Sequence, residues 1–82
     1  MTEIKYEKRA IDFLNKIEKP EANRIINKMR IISQNVKRHL EGLKIFDENK
    51  IRIGDYRLFV EYEPLNDILK VYTIKYRKNA YK

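Results

Sequence analysis

The spacing of hydrophobic residues changes twice along the first half of the chain. Ile4 and Tyr6 alternate with charged neighbours, which indicates a short first strand. From about Lys8 the spacing becomes three and four, which is typical of an amphipathic helix, and its apolar positions are Ala10, Phe13, Leu14 and Ile17. A second helical stripe of about five turns follows Pro20, and it comprises Ala22, Ile25, Ile26, Met29, Ile32 and Val36. The pattern therefore predicts two consecutive helices.

Pro20 marks the junction between these helices. Proline disfavours helical geometry in the residue before it, yet it suits the first turn of a new helix. With only one or two residues between them, the helices must fold back on each other as a helical hairpin. The second helix is predicted to carry Lys37, Arg38 and His39 in its last turn and to end near Gly42.

Two runs of alternating pattern meet at Gly54-Asp55 in the middle of the chain. Such a pair predicts a tight β-hairpin in which glycine supplies the positive φ of a type II′ turn. That turn fixes the register, which pairs Ile53 with Tyr56, Arg52 with Arg57, Ile51 with Leu58, and Lys50 with Phe59. One face of the hairpin is then apolar, with Ile51, Ile53, Tyr56, Leu58, Val60 and Tyr62. The other face carries Lys50, Arg52, Arg57 and Phe59.

A last strand is predicted from Ile68 to Tyr76, after a four-residue loop at Pro64 to Asp67. This loop length pairs Val60 with Val71, Phe59 with Tyr72, and Glu61 with Lys70. The same register puts Arg77 on the core side unless a bulge intervenes. The predicted fold is α+β, with an N-terminal helical hairpin packed on a twisted antiparallel sheet of three to four strands. At 82 residues the chain forms one domain, 1–82.

The basic face of the hairpin has two interpretations. Like charges placed opposite each other on a sheet are destabilising, so the Arg52–Arg57 pair suggests a requirement other than folding. Two arginines, a lysine and an interleaved aromatic ring suit a phosphate backbone with a neighbouring base. The alternative is a solvated face in which the two guanidinium groups splay apart. The net charge of +7 favours a polyanion or an acidic protein as partner.

Several chemistries are excluded by composition. The chain has no cysteine and a single histidine, His39. Disulfides, thiolate metal sites and a ribonuclease with paired histidines are therefore impossible within one chain. No phosphate loop, zinc spacing or dense carboxylate cluster is present, so no metal or cofactor is expected. No apolar run is long enough to cross a bilayer, which predicts a cytoplasmic protein without a membrane partner.

Two motifs together resemble the RelE/ParE toxin superfamily. Residues 52–58 are Arg-Ile-Gly-Asp-Tyr-Arg-Leu, and residues 76–81 are Tyr-Arg-Lys-Asn-Ala-Tyr. The superfamily pattern is R-x-G-D-Y-R at a strand turn and H-R-K-x-x-Y near the C-terminus. The order of a helical hairpin, a central β-hairpin and a basic tail is similar too, so the resemblance covers nearly the whole chain. It implies a microbial-ribonuclease-like fold and the toxin half of a type II toxin–antitoxin pair.

The resemblance also implies roles for individual residues. Arg57 matches the strand arginine that stabilises charge on the scissile phosphate, and Lys50 matches a basic strand lysine. Arg77 matches the tail arginine that assists the phosphate or leaving group, and Tyr81 matches the terminal tyrosine that contacts the substrate or acts as base. Phosphate or RNA binding is expected of Arg52, Phe59 and Lys78. In this chemistry the neighbouring 2′-OH attacks the phosphate.

Two branches of the superfamily act on different targets. RelE-like members cut mRNA in the ribosomal A site, whereas ParE-like members inhibit DNA gyrase. Tyr81 favours the ribonuclease branch. Tyr76 stands where many members have histidine, and Glu48 stands where a second strand lysine is usual. The predicted function is a metal-independent, ribosome-dependent mRNA endonuclease controlled by a RelB-like antitoxin. A gyrase inhibitor and a non-catalytic antitoxin-binding relative are the alternatives.

Overall fold

The computed structural model describes residues 2–36 and 49–76. In chain order the elements are β1 (Glu3–Tyr6), α1 (Lys8–Lys16), α2 (Lys19–Ser33), β2 (Asn49–Ile53), β3 (Tyr56–Glu63) and β4 (Ile68–Tyr76). The two helices pack on one face of the four-stranded sheet, so the predicted α+β class is confirmed. Within the described ranges, no helix has the length and apolar character needed to cross a membrane.

The helical hairpin forms where the proline predicted it. Only Ile17 and Glu18 separate α1 from α2, and Pro20 lies in the first turn of α2. Helix α2 ends at Ser33, earlier than the predicted stripe, because residues 34 and 35 form a turn. Val36 follows that turn and is still buried. The predictions for Lys37 to Gly42 lie outside the described residues.

The core lies between the helices and the apolar face of the sheet. The helical segment contributes Ala10, Ile25, Met29, Ile32 and Val36, and the strands contribute Ile53, Leu58, Val60, Leu69, Val71 and Ile74. These residues confirm both apolar stripes and the predicted apolar face of the hairpin. Each fully buried Leu or Ile side chain stabilises the fold by roughly 1.5–3 kcal/mol relative to an exposed one.

The central hairpin has the predicted register at all four pairs. Gly54 has a φ of +58°, as a type II′ turn requires at its first central position. An added Cβ atom at Gly54 would lie 3.0 Å from Nη1 of Arg24, but this is the end of a flexible side chain, so the positive φ is what disfavours a larger residue here.

The sheet is mixed rather than wholly antiparallel. Its strand order is β1-β4-β3-β2, and β1 pairs with β4 in parallel, with Tyr6 opposite Val71. The β2–β3 and β3–β4 pairs are antiparallel as predicted because short turns connect them. Strand β1 has no such turn to β4, since both helices and two strands lie between them in sequence. Its direction is therefore set by packing, which local pattern does not encode.

A β-bulge corrects the predicted register of β4. Val60 pairs with Val71 and Glu61 with Lys70 as expected, but Phe59 pairs with Thr73 instead of Tyr72. Tyr72 is the extra residue, and it lies between the two registers. Without the bulge, Thr73 and Lys75 would face the core and Ile74 would face outward. The bulge places Ile74 opposite Leu58, where it is buried, so apolar burial explains the irregularity.

Asp67 joins the β3–β4 turn to the start of β1. The hydroxyls of Thr2 and Tyr62 both donate to Oδ1 of Asp67, each at 2.6 Å. The backbone N–H of Glu3 donates to the Asp67 carbonyl at 3.0 Å. The hydrogen bond to Asp67 is the main cause of a raised pKa at Tyr62. Asp67 itself has a φ of +53°, a left-handed conformation that Asp and Asn tolerate better than other residues.

Replacing Asp67 with alanine is expected to lower the free energy of unfolding by about 2–4 kcal/mol, because hydrogen bonds to a charged acceptor and a tolerated left-handed φ are both lost. Asp67→Asn is the matched control, since asparagine keeps an acceptor oxygen and accepts this φ; it is expected to lose less than half as much. Urea denaturation at pH 7 measures both variants. An unchanged stability of Asp67→Ala would show that the hydrogen bonds to Asp67 do not support the turn, and equal losses in the two variants would show that the negative charge itself is required.

Candidate functional site

Basic residues from three strands share the sheet face that points away from the helices. Arg52 on β2 pairs with Arg57 on β3, and Arg57 pairs with Lys75 on β4. Neighbouring strands lie roughly 5 Å apart, so these side chains form a row across the sheet with Arg57 in the centre. Arg57 is half-buried, whereas Arg52 and Lys75 are exposed. We call this row the cation row.

Phe59 organises the next row of the same face. Its cross-strand partners are Lys50 on β2 and Thr73 on β4. The Nζ atoms of Lys50 and Lys75 each lie 5.6 Å from the centroid of the Phe59 ring. Cation–π contacts of this kind hold a flexible lysine near the ring. Phe59 therefore attracts two ammonium groups, and one of them belongs to Lys75 of the cation row.

Arg9 adds a cation from α1 to this surface. The backbone N–H of Glu7 donates to the carbonyl of Val71 at 2.9 Å, which anchors the start of α1 to β4. Two residues further along each segment, Arg9 and Thr73 line a common cavity of about 270 Å³ together with Phe59 and Lys75. The outer face thus carries cations from one helix and three strands.

The structure brings four of the predicted site residues together, and these are Lys50, Arg52, Arg57 and Phe59. The predictions for Arg77, Lys78 and Tyr81 lie outside the described residues. Lys75 and Arg9 were not predicted. The spacing of three between Val71 and Ile74 indicates the bulge that brings Lys75 outward. No feature of the sequence indicates that Arg9 would lie beside Thr73, because that proximity depends on the helix–sheet packing.

Tyr76, which replaces the histidine found in many superfamily members, packs against Tyr56. The two ring centroids are 5.4 Å apart, and Phe13 contacts Tyr56 edge to face at 5.8 Å. Burial is the main cause of a raised pKa at Tyr56, and the nearby carboxylate of Glu21 raises it further. The raised pKa makes the Tyr56 phenol a weaker candidate for a base at neutral pH than an ordinary tyrosine.

Two further cavities flank the turn of the central hairpin. One, of about 460 Å³, is lined by the Phe13–Tyr56–Tyr76 rings and by charged residues of both signs. The other, of about 540 Å³, lies between α2 and β2, where Arg24, Lys28 and Arg52 contribute positive charge. In the part of the chain that the structure describes, no group of three or more histidine or acidic side chains is placed to hold a metal ion.

The fold and its basic sheet face define a small α+β domain with a cationic surface. The family model described as the ParE toxin of type II toxin–antitoxin systems, parDE, matches residues 4–81. The chain therefore belongs to this toxin family, and the predicted membership of the RelE/ParE superfamily is confirmed. Comparison with curated protein sequences gives no significant match.

Solved structures share the fold at low sequence identity. The archaeal RelE–RelB complex from Pyrococcus horikoshii matches with a TM-score of 0.76 and 22% identity, covering 93% of this chain and 94% of that one. The isolated E. coli RelE toxin matches with a TM-score of 0.76 and 15% identity, covering 93% and 84%. The RelBE2 complex of Mycobacterium tuberculosis matches with a TM-score of 0.65 and 12% identity, covering 93% and 98%. These matches establish a RelE-like fold.

Removing one charge from the Arg52–Arg57 pair is expected to stabilise the protein. Arg52→Thr should raise the free energy of unfolding by about 0.2–1 kcal/mol, because it relieves a like-charge cross-strand pair. The gain should shrink in 0.5 M salt, which screens exposed charges. Urea denaturation at two salt concentrations measures it.

The matched control is Lys50→Thr, which makes a similar change on the same strand. This variant loses the favourable contact with Phe59, so it should lower stability. The interpretation of the cation row as electrostatically strained is wrong if Arg52→Thr also lowers stability.

Proposed function

We propose that this toxin is an endoribonuclease that cleaves mRNA in the ribosomal A site. The observation that carries this proposal is the cation row, in which Arg57 lies between Arg52 and Lys75 on an open sheet face. Such a row costs folding stability, which is understandable where a polyanion is the ligand. The aromatic ring of Phe59 next to the row offers a surface for an unstacked base.

Cleavage proceeds by attack of the substrate's own 2′-OH. The 2′ oxygen bonds to the adjacent phosphorus, and the bond from phosphorus to the 5′ oxygen of the next nucleotide breaks. The products are a cyclic phosphate and a 5′-OH. One proton leaves the 2′-OH and one reaches the departing 5′ oxygen, so the reaction needs no other reactant.

Arg57 is proposed to stabilise charge in the transition state. A guanidinium can donate two parallel hydrogen bonds to phosphate oxygens, and its planar fork suits the crowded phosphorane. Because Arg57 is half-buried, its position is more constrained than that of an exposed cation. Groups fixed in advance around the developing charge contribute the most to such catalysis. Arg77 is proposed to assist the same phosphate or the leaving group.

Tyr81 and Lys50 are the proposed proton-transfer groups. Free tyrosine and lysine titrate at about pH 10, and nearby cations lower these pKa values. The described tyrosines that show a shift do not meet this need, because the pKa of Tyr6, Tyr56 and Tyr62 is raised. Arg52, Phe59 and Lys78 are proposed to bind the RNA backbone and a base.

Dependence on the ribosome follows from this choice of groups. The described part of the site contains no histidine, and acid and base catalysis by tyrosine and lysine is inefficient at neutral pH. A substrate already held in the attack geometry removes a large part of the remaining barrier. The ribosomal A site is proposed to supply that orientation, which makes the cytoplasm the place of action.

An antitoxin is the proposed protein partner. Three of the structures with this fold are RelE–RelB, RelBE or RelBE2 complexes. We propose that a RelB-like partner binds this toxin through an acidic, amphipathic segment that covers the cation row. Complementary charge favours fast association and would shield the row from RNA.

Inhibition of DNA gyrase is the second candidate function. The matching family model, which is that of ParE toxins, favours it. A gyrase inhibitor would bind its target through the same basic face without cutting RNA. A relative that only binds antitoxin would do neither.

Purified protein added to a defined mRNA, alone and on programmed ribosomes with an empty A site, tests the proposal by primer extension. Cleavage is expected only on ribosomes. Arg57→Ala should reduce the cleavage rate by about 10²–10³, the range found when a preorganised transition-state donor is removed.

Arg30→Ala is the matched control, because Arg30 is exposed on α2, away from the cation row. It should cleave at the wild-type rate, and both variants should show thermal unfolding close to that of the wild type. Absence of cleavage in both settings, together with inhibition of supercoiling by gyrase, would replace the ribonuclease proposal with the second candidate.

A further inference from the structure

The cavity between α1 and the outer sheet face has the lining of a phosphate subsite. Arg9, Thr73 and Lys75 surround a space of about 270 Å³ above the ring of Phe59. We propose that this cavity binds the phosphodiester group next to the scissile one, so that α1 holds the RNA strand beside Arg57. The proposal rests on RNA being the ligand of the cation row.

The three polar side chains supply the hydrogen-bond donors that a phosphate accepts. Arg9 offers the planar fork of its guanidinium, Lys75 offers an ammonium group, and Thr73 offers a hydroxyl. No carboxylate-bearing side chain of the described residues lines this cavity. Lys75 is additionally held by Phe59, with its Nζ 5.6 Å from the ring centroid. An anion entering here would meet two cations of which one is already positioned.

The location relative to Arg57 fits two consecutive phosphates. Lys75 is the direct cross-strand partner of Arg57, so the cavity starts about one strand spacing, roughly 5 Å, from Arg57. That spacing is comparable to the step between neighbouring phosphates in a nucleic acid strand. A backbone crossing the sheet from β3 towards α1 would therefore place one phosphate at Arg57 and the next at Arg9.

The position of Arg9 is unfavourable for the helix that carries it. Helix α1 begins with Lys8 and Arg9, has no acidic residue in its first turn, and receives no side-chain cap from Glu7. Cations near a helix N-terminus interact unfavourably with the helix dipole. Helix stability thus gives no reason for an arginine at this place. A bound anion would offset the repulsion.

Binding of RNA that cannot be cleaved tests the subsite apart from catalysis. The probes are 2′-O-methyl RNA oligonucleotides, a dinucleotide with one phosphodiester and a trinucleotide with two, titrated into the isolated protein at low salt and followed by NMR. The wild type should bind the trinucleotide several-fold more tightly than the dinucleotide. Arg9→Gln and Lys75→Gln should remove most of this difference, and each should reduce the slope of log K against log salt by about 0.7.

Matched variants separate the subsite from general charge effects. Arg30→Gln and Lys19→Gln remove one charge each from exposed sites on α2 and should leave the difference unchanged. Thr73→Val removes the hydroxyl at nearly constant volume and should weaken only the trinucleotide. Arg57→Ala should weaken both ligands. Thermal unfolding checks that every variant is folded.

Three results would overturn the proposal. The first is an equal loss of trinucleotide affinity in the subsite variants and the control variants. The second is equal binding of the two oligonucleotides by the wild type. The third is that Arg9→Gln and Lys75→Gln weaken the binding of a glutamate-rich peptide and leave the binding of RNA unchanged. Failure of mRNA cleavage on ribosomes has a different meaning, because it bears on catalysis alone. A preserved trinucleotide preference under that condition would support the subsite in a toxin that binds RNA without cutting it.

Discussion

The extra residue in β4 decides which side chains reach each face of the sheet. Strand β3 pairs with the first part of β4 in one register and with the second part in another, and Tyr72 is the extra residue between the two. Its hydroxyl donates to Oε2 of Glu61 at 2.8 Å, which holds the bulged residue against the outer face. Because of this shift, Ile74 completes the core and Lys75 completes the cation row. One backbone irregularity thus serves both stability and the candidate site.

Stability and charge are separated between the two faces of the molecule. The inner face buries aliphatic side chains against two amphipathic helices, and the turn opposite the hairpin is fixed by the hydrogen bonds to Asp67. The outer face carries like charges at close cross-strand positions, where each contact reduces stability modestly. The core therefore supports an outer face on which neighbouring cations repel one another. This division is typical of sites that must attract a strongly charged ligand.

The family and fold constrain function only in part. The family model is that of ParE toxins, whereas the structural matches are RelE toxins and their complexes at 12–22% identity. Proteins of one fold often act on different targets, because the target depends on the chemistry of the binding surface. In this chain that chemistry is a row of three cations beside an aromatic ring. It favours a nucleic acid phosphate over an apolar protein surface.

Local pattern in the sequence determined the features that short-range physics controls. Gly54-Asp55 fixed the turn and hence the face shared by Lys50, Arg52, Arg57 and Phe59, because a two-residue turn permits one register. The helical spacing and Pro20 likewise determined the helical hairpin.

Only the tertiary structure decided the features that depend on distant contacts. The parallel pairing of β1, the bulge at Tyr72 and the approach of Arg9 to Thr73 arise from burying Ile74 and from anchoring Glu7 to Val71. These features follow from how the elements pack together. The residues of β1 and at the start of α1 that contact β4 lie more than sixty positions from their partners in the sequence. Alternation along one strand carries no information about such partners. The places of Arg9 and Lys75 in the candidate site therefore follow only from the tertiary structure.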